Sequence, residues 1–401
     1  MKNLVKKITK ASVVALALLG TYARADVNTL SRFVEGMAAV VPNKLDLGAT
    51  AEVRYDDNIN SEPRRNRVDS LILYGSLFAD LHRQVESLGS YGLRGSVGYE
   101  YYDHECSDRS DFIWDLAPYV NGSIGGGEHL TWRISLSSVG KRERMSSGDT
   151  RYALHYNNTI ALGADYQYHP RWGVMSNAGY TWDYYPQKAF QSHSKQIWEL
   201  SVSPYYRFTE KLRGGFRVAA EATMYRNDDT NDDSRRMKYN AFLDWNPSNI
   251  LSVYAEAGLE KSYYDGETRG TNYERHFLPD ASVSIRYLPF TNLGLTYTSS
   301  LSQKDSTLNR SIVWAWSNSL IANWQITQKI LLSQTIGASV DDQKDGNADT
   351  YEWFYSANAS YKFSKHLSFY AGYNYTDTYY KYIHDLDYDE SVVKVGATFT
   401  M

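Results

Sequence analysis

The feature that most constrains this 401-residue chain is a short turn that recurs about every forty residues. Each turn is followed by an apolar residue that begins an alternating run, and these residues are Leu130, Trp172, Leu212, Ile250, Leu293, Ile330 and Leu367. A similar period is typical of β-propellers, whose blades hold four short strands each. Here each repeat holds two long alternating runs joined by connections of unequal length. The repeat therefore predicts β-hairpins in series.

The chain ends on a strictly alternating run, in which apolar and polar residues take turns from Lys394 to Met401. A strand at the edge of a sheet leaves unpaired backbone groups, and closing a barrel onto the first strand removes that edge. Gly396, Phe399 and Met401 resemble the C-terminal assembly signal of bacterial outer-membrane β-barrels. That signal usually ends in an aromatic residue, whereas this chain ends in Met401, so we expect Phe399 to take the aromatic role.

Counting the connections gives the architecture. Eight short turns alternate with nine longer polar segments, which predicts an all-β fold of about 18 strands, or 16 if one hairpin is misread. The expected fold is a transmembrane antiparallel up-and-down β-barrel over residues 44–401, with short periplasmic turns and longer extracellular loops. One of those loops is the polar run 227–236, so the tenth strand is predicted to begin at residue 237.

The N-terminus has the organisation of a secretory signal peptide. Basic residues precede the apolar run 11–20, and Ala23-Arg24-Ala25 is a small-x-small cleavage site. The sequence predicts Sec export with cleavage near Ala25, so residues 1–25 are excluded from the fold. Residues 26–43 are predicted to form an N-terminal periplasmic segment. Apolar residues at helical spacing within it (Leu30, Phe33, Val34 and Met37) leave two alternatives, a short amphipathic helix or a disordered leader.

The amino-acid composition limits the classes of partner that the protein is expected to bind. Without residues 1–25 the chain keeps 37 basic against 46 acidic residues, and this acidic balance argues against nucleic acid as a partner. The 35 Tyr, 10 Trp and 13 Phe residues suit a barrel with aromatic girdles at both membrane interfaces. The alternative is a track of aromatic residues inside the barrel that stacks on sugars.

Alternation separates a face for lipid from a face for the lumen. In the first strand Leu45, Leu47 and Val53 share the apolar parity, whereas Glu52 and Arg54 share the polar one. Both signs of charge occur on the polar parity, and a dry interior would make them costly, so a water-filled lumen is expected. The candidate lumen-lining residues are Glu52, Arg54, Arg94, Arg133, Arg207, Arg213, Arg217, Glu221, Glu256, Arg286, Lys362 and Lys394. Whether Arg213, Arg217 and Glu221 line a constriction or pair with one another is left open.

These features together resemble porin-like outer-membrane barrels. Tyr55-Asp56-Asp57-Asn58-Ile59, at the end of the first strand, is similar to the opening of the family known as "beta-barrel porin 2". The resemblance implies a barrel in the outer membrane of a Gram-negative bacterium and passive diffusion of small hydrophilic solutes. Expected partners are outer-membrane lipid and lipopolysaccharide, the barrel-assembly machinery and the solutes themselves. The pattern predicts no particular oligomeric state.

The sequence leaves alternatives to the channel open. A sugar-specific channel or a polysaccharide export barrel is the first alternative. The export of an acidic polysaccharide would favour a lumen whose charged residues are mainly positive, whereas both signs occur here. A structural or adhesive barrel and a hydrolase on the barrel wall are the others. Histidines and acids in the loops, such as Asp103-His104 and His384-Asp385, lack a nucleophile motif. The acidic loop 341–349 lacks the glycine and the distal Glu of an EF-hand. The sequence therefore predicts no enzyme, no cofactor and no metal site.

Overall fold

The computed structural model describes most of the chain beyond residue 43. The described ranges are 44–59, 67–85, 89–103, 110–124, 129–146, 149–226, 233–265, 277–305, 312–343, 350–381 and 387–401. Within them the chain forms β-strands and the short 3₁₀ helix Lys188–His193, and no helix long and apolar enough to cross a bilayer is found there. The predicted signal peptide (1–25) and N-terminal segment (26–43) lie outside the described residues.

Eighteen strands follow one another along the chain, which confirms the predicted number and excludes the alternative of 16. They are Lys44–Asp56 (β1), Ser70–Val85 (β2), Gly89–Tyr102 (β3), Asp111–Ile124 (β4), Leu130–Ser146 (β5), Asp149–His169 (β6), Trp172–Tyr184 (β7), Lys195–Thr209 (β8), Leu212–Tyr225 (β9), Asp233–Ser248 (β10), Leu251–Asp265 (β11), Phe277–Phe290 (β12), Leu293–Asp305 (β13), Ile312–Gln325 (β14), Ile330–Gln343 (β15), Thr350–Lys362 (β16), Leu367–Tyr380 (β17) and Tyr388–Thr400 (β18).

The strands close into a single antiparallel barrel. Each strand pairs with its neighbours in sequence, and the last strand, β18, pairs with β1. At this seam the register runs from Gly48 opposite Thr400 to Asp56 opposite Val392. Closure leaves no free sheet edge, which explains why a chain can end on an alternating strand. The predicted up-and-down barrel is confirmed.

The two ends of the barrel differ in the length of their connections. The end that carries the β2–β3, β4–β5 and later even-to-odd connections, here the turn end, has short links such as the two residues between His169 and Trp172. The opposite end, here the loop end, carries longer segments, for example between Asp265 and Phe277. The β5–β6 connection is an exception, because pairing continues up to Ser146 opposite Asp149.

The tenth strand is longer at its start than the sequence predicts. The tenth strand begins at Asp233, four residues before the predicted start at residue 237. Its first residues are polar, yet they pair with β9 on one side and β11 on the other, for example Arg236 with Glu221 and with Ser262. Strand pairing on both sides therefore overrides the loop-like composition of this segment.

The outward face of the barrel is apolar and aromatic. All ten tryptophans of the sequence lie at outward positions, as do exposed aliphatic residues such as Leu77 and Leu200. Aromatic rings meet near the turn end, where Trp172 and Tyr206 lie 4.8 Å apart, and near the loop end, where Trp353 and Tyr375 lie 5.0 Å apart. A small-residue and aliphatic band between two aromatic girdles is the outer surface that a membrane barrel presents to lipid.

The inward face is identified by contacts between strands that are not neighbours. Arg213 on β9 reaches Asp165 on β6, three strands away, and Tyr370 on β17 reaches Glu52 on β1 across β18. Side chains converge only on the concave side of a closed sheet, so the polar parity points into the barrel.

Candidate functional site

The site is the inward face itself, and its charged residues cluster on β6 and β8–β12. Nearest the turn end, Arg213 contacts two acids, Asp244 through Nε at 2.9 Å and Asp165 through Nη1 at 3.4 Å. Tyr205 lies fully buried between Arg207 and Arg213, and its hydroxyl donates to Asp165 at 2.8 Å. The guanidinium groups of Arg207 and Arg213 therefore both lie near the ring of Tyr205. The hydroxyl of this tyrosine is hydrogen-bonded to Asp165, the acid that Arg213 contacts.

The middle of the barrel height carries a second group. Nη1 of Arg217 lies 3.4 Å from Oε2 of Glu256, and this carboxylate also accepts a hydrogen bond from the Tyr254 hydroxyl at 2.6 Å. Its other oxygen accepts from the amide of Asn240 at 3.2 Å. Glu256 is almost entirely buried, so its charge is balanced by one cation and two neutral donors.

A third group lies toward the loop end. Nζ of Lys238 lies 2.8 Å from Asp280 and 3.2 Å from Glu260, which is fully buried. Arg236 lies between two acids at longer range, 3.9 Å from Glu221 and 4.0 Å from Glu260. We call the inward face of β8–β12 the charged wall, because ionised side chains of both signs bridge its strands along most of its height.

A smaller charged cluster lies at the seam of the barrel. Glu52 accepts from Arg54 at 2.7 Å and from the Tyr370 hydroxyl at 2.8 Å. Arg54 also reaches Glu100 on β3 at 3.4 Å, and Glu100 accepts from Tyr102. The cluster connects β17, β1 and β3 through side chains, so it reinforces the place where the first and last strands meet.

The wall formed by the inward face of β13–β17 is chemically different, and we call it the hydroxyl wall. Between its two ends it carries no charged residue, and its inward side chains are mainly Ser, Thr and Asn, with Ile321, Phe354 and Tyr370 among them. Neighbouring strands are joined by neutral pairs, such as Thr298 with Ser319 at 2.7 Å and Ser356 with Asn374 at 2.7 Å. Charged inward residues of this wall lie near its ends, for example Lys362 at the turn end.

All twelve predicted lumen-lining residues lie on the polar, inward parity. Only two ion pairs join members of this set, Glu52 with Arg54 and Arg217 with Glu256. Arg94 pairs with Asp80 at 3.2 Å, whereas five others form no ion pair with a residue that the structure describes. These five are Arg133, Arg207, Arg286, Lys362 and Lys394.

The open question about Arg213, Arg217 and Glu221 has a structural answer. They do not pair with one another but with residues on other strands: Arg213 with Asp165 and Asp244, Arg217 with Glu256, and Glu221 with Arg236. Asp165 and Glu256 have the polar parity that the sequence assigns to the lumen. Asp244 shares this parity but was not among the predicted residues. Arg236 was missed because its segment was predicted to be a loop.

The interior holds exposed charge. The side chain of Arg94 is 77% exposed although it points into the barrel, and Arg133, Arg286 and Lys362 are exposed as well. No strand or helix in the described ranges crosses the inside of the barrel. Exposed cations on a concave face require water next to them, since a dry environment disfavours unpaired charge.

The other candidate sites find less support. The exposed large aromatic side chains lie outward, whereas the inward parity also carries Tyr and Phe residues, such as Tyr74, Phe242 and Tyr370, so the aromatic track inside the barrel stays an untested alternative. Asp103 is used structurally, accepting hydrogen bonds from Ser70 and from the backbone of Leu71. Among described residues there is no cluster of His, Cys, Asp and Glu suited to a metal, and His104, His384 and residues 344–349 of the acidic loop lie outside those residues.

Several solved structures are similar to this barrel. Crystal structures of two Pseudomonas aeruginosa proteins match nearly the whole barrel. OccK2 (OpdF) matches with a TM-score of 0.50 and 10% identity over 90% of this chain and 99% of that one, and OpdK with vanillate matches with a TM-score of 0.49 and 10% identity over 89% and 99%. The ferric citrate transporter FecA matches with a TM-score of 0.46 and 13% identity over 85% and 61%. No protein-family model and no curated protein sequence matches the chain. At these identities the likeness to OccK2 shows the barrel fold alone, and the resemblance to the "beta-barrel porin 2" family stays a prediction.

Proposed function

We propose that this protein is an outer-membrane channel for passive diffusion of small hydrophilic solutes. The observation that carries the proposal is solvent-exposed charge on the inward face of a closed 18-stranded barrel, above all Arg94 at 77% exposure. Barrels of 16–18 strands are wide enough to enclose an aqueous channel. Both signs of charge line the wall, and this mixture favours a general pore for small solutes over a conduit for an acidic polysaccharide.

The proposed setting follows from the outward face and the two ends of the chain. The apolar band between aromatic girdles suits a bilayer, and lipopolysaccharide is the lipid partner expected at an outer membrane. Residues 1–25 would direct Sec export with cleavage near Ala25, and residues 26–43 would remain in the periplasm with the turn end. Phe399, 40% exposed on the outward face of β18, together with Gly396 and Met401, would be read by the barrel-assembly machinery.

The experiment is a conductance measurement on the protein purified from an outer-membrane fraction. We expect stable single-channel steps in planar bilayers, with a reversal potential close to zero in a salt gradient because the lumen carries both signs. Heat-modifiable electrophoretic mobility serves as the control for a folded barrel. A folded barrel that conducts no ions would refute the channel and favour a structural or adhesive barrel.

A further inference from the structure

The inward wall has a recess beside the charged wall, over β5–β8. Its floor is made of small residues on neighbouring strands, Ala161 and Gly163 on β6 and Gly179 on β7. They contribute to a cavity of about 530 Å³ that extends to the charged wall. A volume of this size lies within the range of sites for small molecules. The lack of large side chains on these adjacent strands leaves this space open. Elsewhere on the inward face, larger side chains occupy the corresponding space.

Two opposite charges border this floor. Arg133 lies on β5 in register with Gly163, and Glu199 lies on β8 in register with Gly179. Oε2 of Glu199 lies 3.3 Å from the position that a Cβ atom would take on Gly179, so the carboxylate extends over the floor. Oδ1 of Asn177 lies in the same way 3.2 Å from the Cβ position of Gly163. Charged and amide groups therefore reach into the recess from both sides.

These two charges differ from those of the charged wall. Arg217 and Lys238 are held by acids, but neither Arg133 nor Glu199 forms an ion pair or a side-chain hydrogen bond with any residue in the described ranges. Both side chains are exposed to the interior. Their strands are three steps apart, or roughly 14 Å at the usual strand spacing. Because both side chains are long, the gap between their charged groups is of the size of a small solute.

We propose that this recess binds small zwitterionic solutes that carry a carboxylate and an ammonium group. The carboxylate pairs with Arg133, which offers a planar fork of donors, and the ammonium pairs with Glu199. The side-chain amide of Asn177 provides a further polar contact on the floor. The inference rests on the proposed channel, because the recess is reached through the water-filled lumen, and it specifies which solutes that channel retains.

Binding is measured directly, so that the test does not depend on conduction. The probe is glycylglycine, titrated into the full-length protein in detergent micelles and followed by saturation-transfer NMR. N-acetylglycylglycine lacks the ammonium group, and glycylglycine amide lacks the carboxylate. We expect each blocked dipeptide to bind about tenfold more weakly, because each loses one hydrogen-bonded ion pair.

Variants assign the two charges. Arg133→Gln is expected to remove the preference for glycylglycine over its amide, and Glu199→Gln the preference over its acetylated form. Exchanging the charges, with Arg133→Glu and Glu199→Arg in one protein, restores binding, since a zwitterion can enter in the reverse orientation. Arg286→Gln is the matched control, because Arg286 is an exposed, unpaired inward cation among the described residues but lies outside the recess on β12.

The outcomes separate the two proposals. Equal binding of all three dipeptides, or an effect of Arg286→Gln as large as that of Arg133→Gln, overturns the zwitterion site even if the protein conducts ions. Selective binding by a protein that conducts no ions overturns the channel and keeps the site. Selective binding in a conducting protein supports both proposals when Arg133→Gln removes only the preference over the amide and Glu199→Gln only the preference over the acetylated form.

Discussion

The charged wall of β8–β12 and the hydroxyl wall of β13–β17 share one barrel and one alternating pattern, yet they carry different polar chemistry. In the charged wall Lys238 lies between Asp280 and the fully buried Glu260. In the hydroxyl wall the corresponding cross-strand contacts are neutral, as between Ser300 and Ser317 at 2.8 Å. Alternation therefore decides which residues face inward, and leaves the chemistry of those residues to vary from strand to strand.

This difference has consequences for stability and for solutes. A buried ion pair is costly to break one partner at a time, because the remaining charge is left without compensation. A neutral hydroxyl pair can exchange its partner for water at little cost. We therefore expect the charged wall to hold a fixed arrangement of charges on one part of the lumen surface, next to a wall that is wetted but carries no field of its own.

The largest effect is expected from Lys238→Met. This change leaves Asp280 and Glu260 buried beside each other without their shared ammonium group, and we expect it to lower the free energy of unfolding by about 3–5 kcal/mol. Urea unfolding in micelles, followed by tryptophan fluorescence, measures the change. Ser317→Ala in the hydroxyl wall is the control and is expected to cost far less. Equal losses in the two variants would remove the energetic distinction between the walls.

A smaller loss is expected from Tyr205→Phe in the charged wall. The ring and its contacts with Arg207 and Arg213 stay, but the hydroxyl that donates to Asp165 is removed. A hydrogen bond to a charged group is worth about 1.5–3 kcal/mol, and the variant should lose an amount in that range. Unfolding of Asp165→Asn and of the double variant completes a cycle; strictly additive losses would show that the two groups do not interact.

The fold could be predicted from the sequence much further than the site could. Period-two alternation gives both the strands and their inward parity, because every second side chain must face lipid or water. The ion-pair partners of the inward residues were harder to predict. Arg213 contacts Asp165 from a strand three positions away, and only the curvature of the barrel brings these two residues together. The early start of β10 at Asp233 depends on pairing with two other strands, which the local composition does not reveal.

Ion selectivity provides a test of whether both walls face one lumen. Arg217→Gln removes a positive charge from the charged wall, and Ser319→Glu adds a negative charge to the hydroxyl wall. Both change the net charge by the same amount, so at 0.1 M salt, where the Debye length is about 10 Å, both should shift the reversal potential toward cation selectivity. Near 1 M salt the Debye length falls to about 3 Å, and both shifts of the reversal potential should become smaller.

The neutral variant Ser319→Asn is the control for the added side chain and should leave the reversal potential unchanged. If Arg217→Gln shifts the reversal potential and Ser319→Glu does not, ions pass along the charged wall and are not affected by charge on the hydroxyl wall. The hydroxyl wall would then not border the conducting path, and the two walls would not share one lumen.

The smallest effect is expected from Thr298→Val in the hydroxyl wall. Valine keeps the shape of threonine, and the only loss is the hydroxyl contact with Ser319 at 2.7 Å, worth about 0.5–1.5 kcal/mol. Because both groups are only partly buried, water can replace the lost partner and the measured loss should fall at the low end of that range. Combining Thr298→Val with Ser356→Ala, three strands further along, should give additive losses, since the two pairs share no residue. Strong coupling between them would show that the hydroxyl wall is a connected network like the charged wall, and the two walls would then differ in charge but not in rigidity.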